Sequence, residues 1–303
     1  MKSKFLTGAL TGFFLTGTLT FAQAQKITEL QEVSIYAPQL TKADGRNSEW
    51  ANATFAQNKA TGISYLISND DKNLYLIVRS TEVGNNTKIM AGGITFSVNP
   101  DGKKKEKESI TLTYPLINRA QFRRGGQGGG GGGRPAFGGM GGGMGAGGVQ
   151  LTPKQRDSTM AAMQKTQLAL VKEIKIKGFK KTTDTLVSIY NDMGIKAAAS
   201  IDKDNVFFYE AAIPFEELGL TLDNAKEFAY NVKLNGLQLP GMDFNRGGGG
   251  GGGGFGGGGG GGGGQVQVRM GGGGGGGPRG GGIDFQALIS PTDFWGKYTL
   301  TKK

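Results

Sequence analysis

Most of the chain alternates short apolar runs with turn chemistry. Residues 63–67 (Ile-Ser-Tyr-Leu-Ile) and 74–78 (Leu-Tyr-Leu-Ile-Val) are rich in β-branched and aromatic residues, and Asn69-Asp70-Asp71-Lys72-Asn73 between them is hairpin material. Residues 94–98 and 110–114 alternate with period two around the turn Asn99-Pro100-Asp101-Gly102 and a lysine run at 103–105 and 107. Both flanking strands are half buried by pattern, so the lysines read as a solvated hairpin tip rather than a binding patch. Thr152-Pro153 opens a helix of about four turns through Met160, Met163 and Leu168, with threonine as the cap and proline in the first helical position. Strand patterns resume at 172–177, 185–190, 195–201, 206–213, 228–238 and 294–300, with a single helical turn at 214–219. Ten or eleven short strands with one helix predict a mainly β protein, an antiparallel β-sandwich.

Two stretches break this pattern. Of the 58 glycines, 16 lie in residues 125–148 and 27 in residues 247–282. Both tracts fall between strand patterns, so the expectation is one domain over 25–303 carrying two disordered glycine-rich loops. A flexible loop of ~30 residues adds only a few kcal/mol of closure cost, which a sandwich tolerates.

At the start, Lys2 and Lys4 precede an apolar stretch at 5–21 diluted by threonine and glycine, and Ala22-Gln23-Ala24 supplies small residues for cleavage. This predicts a secretory signal peptide over 1–24 and a periplasmic, cell-surface or extracellular address. No segment is apolar enough to predict a membrane span.

Charge follows the same division. The chain has 35 basic against 24 acidic residues. Arg123, Arg124, Arg134, Arg246, Arg269 and Arg279 lie in or beside the glycine tracts, where no acidic residue occurs. These arginines are candidates for contact with a polyanion such as an envelope polymer, by phosphate attraction and guanidinium stacking. A soluble spacer is the competing reading. No feature points to a specific nucleic acid.

Composition also narrows the chemistry. With no cysteine and no histidine, the usual zinc sites, Ser-His and Cys-His nucleophiles and disulfides are absent. No convergent acid pair is visible: Glu216-Glu217 are adjacent on a turn and do not face one substrate. Asp70-Asp71 and Asp44 with Glu49 read as turn and cap residues in preference to calcium ligands. The expectation is a non-enzymatic protein with no catalytic residues, metal or cofactor.

Several spaced motifs then occur in order: Asp44-Gly45 with Glu49-Trp50; residues 68–76 (Ser-Asn-Asp-Asp-Lys-Asn-Leu-Tyr-Leu); Lys88-Ile89 with Gly93-Ile94-Thr95-Phe96; Asp101-Gly102-Lys103-Lys104; Tyr209-Glu210-Ala211-Ala212-Ile213-Pro214; and Asp293-Phe294-Trp295-Gly296-Lys297-Tyr298. Together they resemble secreted bacterial β-sandwich proteins related to carbohydrate-binding module family 9, a group similar in turn to DOMON-type sugar- and haem-binding sandwiches. The resemblance implies a binding or accessory module and a glycan partner. It places Trp50 in the Asp-Gly-to-Trp motif. Sugar-binding members stack exposed aromatic faces on pyranose rings, which makes Trp50 and Trp295 the candidate ligand-binding residues. Each is also a candidate core residue. Haem binding in the DOMON manner commonly uses Met with His, and this chain has no His. The alternative function is a structural or interaction protein acting through its Gly/Arg-rich loops.

Overall fold

A computed structural model describes residues 28–117, 152–223, 225–237 and 285–303. The predicted signal peptide and both glycine tracts lie outside the described residues.

Among the described residues, eleven strands form two antiparallel sheets. The first has the order β1 (Ala56–Asn58), β2 (Ile63–Asn69), β3 (Asn73–Ser80), β9 (Phe207–Pro214), β8 (Lys196–Ile201). The second runs β11 (Thr292–Tyr298), β10 (Phe228–Leu234), β4 (Ile94–Asn99), β5 (Ile110–Tyr114), β6 (Glu173–Lys177), β7 (Leu186–Ser188). The sheets pack face to face, so the predicted all-β sandwich is the observed architecture. Leu74, Leu76 and Val78 of β3, Phe207 and Tyr209 of β9, Phe96 and Val98 of β4, and Tyr230 and Val232 of β10 fill the space between them.

The two tight turns form as their residues dictate. Asp70 Oδ1 accepts from the backbone N–H of Lys72 (2.7 Å) and Asn73 (2.6 Å), and Oδ2 accepts from Tyr75 Oη (2.7 Å). Asn99 Oδ1 takes the N–H groups of Asp101 and Lys103, and Gly102 adopts φ 73°. The lysine run is tied locally, Lys103 to Asp101 and Glu108 and Lys105 to Glu108.

Helix α2 (Pro153–Ala169) starts where predicted, with a capping box in which Thr152 and Gln155 satisfy each other's backbone N–H. Three further helices accompany it: α1 (Val83–Gly92), α3 (Phe215–Leu218) and α4 (Phe285–Ile289). Of these, α3 corresponds to the predicted helical turn. Helix α1 has no side-chain cap and no charge in its end turns, and Gly84, Asn85, Asn86 and Thr87 are weak helix formers. It is held by packing, with Ile89 and Met90 in the core.

One feature lies outside the sandwich proper. The segment from Ile35 to Phe55 runs over the outer face of the five-stranded sheet, where Ala37, Trp50 and Phe55 pack on Leu66, Tyr75, Ile77, Phe208 and Ala212. Both faces of that sheet are therefore buried, which is why β2, β3 and β9 read as nearly continuous apolar runs.

Candidate functional site

The two tryptophans lie on opposite outer sides of the sandwich, Trp50 in the covering segment and Trp295 on strand β11, and have opposite surroundings. Trp50 is 1% exposed. Its ring packs against Tyr75 with centroids 6.3 Å apart, and Nε1 donates to Glu210 Oε1 at 2.6 Å. Glu210 Oε2 accepts the N–H groups of Asp44 (3.0 Å) and Gly45 (2.7 Å). Burial drives the Glu210 carboxyl up to about 7, against the pull of those N–H donors. Gly45 adopts φ 77°, its carbonyl accepts from Ser200 Oγ at 2.6 Å, and an added Cβ would lie 3.2 Å from Ala199 N. The Asp-Gly, Trp and Tyr-Glu motifs, far apart in sequence, thus close into one fastening of the cover onto the sheet. Trp50 sits beneath that cover and presents no platform to solvent. Sequence reasoning missed Glu210, although a lone acid inside an apolar strand was the available signal.

Trp295 lies on the outer face of the six-stranded sheet. In β11, Phe294, Gly296 and Tyr298 point inward and are buried, so Asp293, Trp295 and Lys297 point outward. Gly296 leaves room for the ring of Tyr230, which an added Cβ would strike. Trp295 itself is half-buried and belongs to no hydrophobic cluster of the described residues.

Polar groups surround it. Asn231 is its cross-strand partner and donates through Nδ2 to Asp293 Oδ2 (2.7 Å) and to the Phe294 carbonyl (2.9 Å). Lys297 pairs with Glu227 at 2.5 Å, and Lys233 reaches both carboxylate oxygens of Glu106 at 2.8 and 2.9 Å. Ser97, next to Asn231 on β4, is fully buried with an unpartnered hydroxyl. The result is an indole face among internally paired charges, amides and hydroxyls.

The six tract arginines lie outside the described residues, but the chain on either side of each tract is placed. Ile94 of β4 pairs with Tyr114 and with Leu234, and Leu234 pairs with Thr292. The described chain leaves β5 as far as Ile117, leaves β10 as far as Leu237, and resumes at Phe285 before β11. Leu237 N–H donates to the Leu288 carbonyl at 2.9 Å. These three flanks therefore lie at one end of the six-stranded sheet. Helix α1 is at the same end, and Thr87 of α1 touches Met160 of α2, the helix that follows the first tract.

Among the described residues there is no group of three or more acidic, histidine or cysteine side chains placed to hold a metal. No helix among them is long and apolar enough to cross a membrane.

Fold and geometry define the class as an antiparallel two-sheet sandwich. No family model matches the chain, and no curated protein matches it. Among solved structures it is distantly similar to a carbohydrate-binding module of family 9 from Caldicellulosiruptor kristjanssonii in complex with glucose, with TM-score 0.33, 9% identity, and coverage of 68% of this chain and 78% of that one.

Proposed function

We propose that the protein is an exported, non-enzymatic binding module that takes a neutral carbohydrate on the outer face of its six-stranded sheet. The observation that carries this reading is Trp295, a partly exposed indole on the outer side of the edge strand whose neighbouring charges are already paired. Stacking on the indole supplies the apolar contact a pyranose ring offers, and the exposed Asp293 beside it, oriented by Asn231, supplies a carboxylate acceptor for its hydroxyls. Affinity electrophoresis against a panel of neutral polysaccharides tests it. Retention of the wild type, lost in Trp295→Ala with an unchanged circular dichroism spectrum, is the expected result. Equal migration of both proteins on every polymer overturns the reading.

A second reading is favoured by the shared location of the tract flanks. Loops that leave one end of a rigid body raise each other's effective concentration for a common partner, so six arginines would act on an envelope polyanion as one site. Deleting 125–148 and 247–282 separates the two readings. Polyanion retention that disappears on deletion and falls steeply with salt belongs to the loops. Neutral glycan retention that survives deletion belongs to the sheet.

A further inference from the structure

Strand β11 is the outermost strand of the six-stranded sheet, and among the described residues no backbone group pairs with its free side. A seven-residue edge without proline is a template for strand addition unless something blocks it. Asn235 N–H donates to the Gly93 carbonyl at 3.1 Å, so the odd-numbered residues of β10 turn their backbone groups toward β4 and its even-numbered ones toward β11, where they pair with the even-numbered residues. Asp293, Trp295 and Lys297 then direct their N–H and C=O groups to the free edge.

These three residues are self-complementary. When two copies of the strand are laid antiparallel about Trp295, each Asp293 falls opposite the other copy's Lys297, and the two tryptophans face each other. Phe294 then meets Gly296, and Thr292 meets Tyr298. Shifting that register by four residues in either direction sets Asp293 against Asp293 or Lys297 against Lys297. Parallel in-register pairing does both at once. The charges thus favour this register over those shifted by four and over parallel pairing, and only this register sets both opposite-charge pairs together. The paired segment has natural stops, because Pro291, which has no N–H, falls opposite Thr299, whose carbonyl is already taken by Ser34 Oγ at 2.6 Å.

We infer that two copies of this chain associate through antiparallel pairing of β11 with β11, joining the six-stranded sheets into one continuous sheet across a two-fold axis. The interface is isologous, as a two-fold requires. It has a consequence that rests on the carbohydrate reading above. The two Trp295 side chains stand side by side on the outer face at the axis, their Cα atoms about 5.5 Å apart as in a hydrogen-bonded pair. Each copy thereby contributes half of a two-indole platform that neither forms alone.

Sedimentation velocity of the chain 25–303 between about 5 and 500 μM tests the association without any sugar present, so its outcome is independent of glycan binding. A concentration-dependent monomer–dimer equilibrium is expected, as suits an interface built on a single strand pair. In a Glu227→Gln background, which removes the Lys297–Glu227 pair within one copy, Asp293→Lys and Lys297→Asp are each expected to weaken dimerisation roughly tenfold by placing like charges opposite each other, and the double swap is expected to restore it. A wild type that stays monomeric throughout, or a double swap no better than its parents, overturns the inference. Because the chain has no cysteine, Trp295→Cys supplies a second measurement. Oxidation or a short bis-maleimide should give a covalent dimer from this variant, while the exposed control Tyr190→Cys on the far side of the sheet should not. Equal cross-linking of the two also overturns it.

Discussion

The outer faces of the two sheets are built from similar strands, yet one is roofed by an apolar cover and the other is polar, buried along β4 and β10 and reached by solvent toward β11 and β6. Over the five-stranded sheet, the segment from Ile35 to Phe55 covers Tyr75, Ile77 and Phe208 and buries Trp50 completely. Over the six-stranded sheet, the outward residues Thr95, Ser97 and Asn231 are buried polar groups, Lys175 and Lys177 are exposed, and Trp295 is partly buried. A tryptophan's role here is decided by what lies above it. The roofed one is an anchor whose polar edge had to find a buried acceptor, and the open one retains a face for a ligand or a partner strand.

The sharpest way to break this contrast is to truncate each indole. Trp50→Ala removes a fully buried ring and strands the Glu210 carboxylate, so a loss of about 3–5 kcal/mol in urea unfolding is expected. Trp295→Ala removes a ring from a half-exposed sheet position, and its stability is expected to stay within about 1 kcal/mol of wild type. Equal losses for the two would erase the distinction between anchor and open face.

Gly296→Ala tests the inward side of the same strand. The ideal Cβ position lies 2.2 Å from Tyr230 Cζ and 2.3 Å from its Oη, and that hydroxyl is 3.0 Å from that of Tyr65, so the ring has little freedom to retreat. Overpacking should cost about 1–3 kcal/mol, visible as a lower urea midpoint at unchanged slope. If Gly296→Ala proved neutral while Trp295→Ala proved costly, the inward and outward assignments on β11 would be reversed.

Glu210 adds a pH signature to the roofed face. Its folded-state value of about 7 lies above the ordinary carboxyl value of 4.5, so the folded protein holds this proton more tightly than the unfolded chain. The resulting stability is fully present below about pH 4.5 and is lost as pH rises through about 7. A decline of up to about 3 kcal/mol over that window follows from the shift. Glu210→Gln should flatten it in urea titrations from pH 4 to 8. It also turns an amide NH₂ or carbonyl toward donors that a carboxylate satisfied, so the variant should be less stable at every pH. A wild-type curve that rises across this window would invert the sign derived from burial.

How much of this was legible in the sequence depended on whether a position answers to local or distant neighbours. The strands 63–67, 74–78, 94–98 and 110–114 and the cap at Thr152 answer to near neighbours, and they formed as the pattern predicts. Helix α1 did not announce itself, because its glycine and asparagines disfavour a helix and only packing of Ile89 and Met90 sustains it. The outward apolar residues of β3 could not be explained until the cover was seen. The Glu210 fastening joins residues 44, 45, 50 and 210, and nothing in local spacing connects them. For the tryptophans, alternation along β11 puts Trp295 and Tyr298 on opposite faces, but which of those faces is turned from the core is a property of the whole sandwich.

The smallest expected effect sharpens the character of the open face. Lys233 bridges to Glu106 with its ammonium held between both carboxylate oxygens, the lysine side chain 17% exposed and the glutamate 51%. Water reaches one partner freely, so the pair should contribute no more than about 1 kcal/mol, and less at high salt. A double-mutant cycle with Lys233→Met and Glu106→Gln, run at two salt concentrations, measures that coupling directly. A coupling well above 1 kcal/mol that ignores salt would mean the pair is sealed from solvent. The outer face near Trp295 would then be a second roofed surface, and both the platform and the strand-pairing edge would lose their premise. A small, salt-sensitive coupling keeps the asymmetry of the two faces, because paired charges that water still reaches leave the indole beside them available for contact.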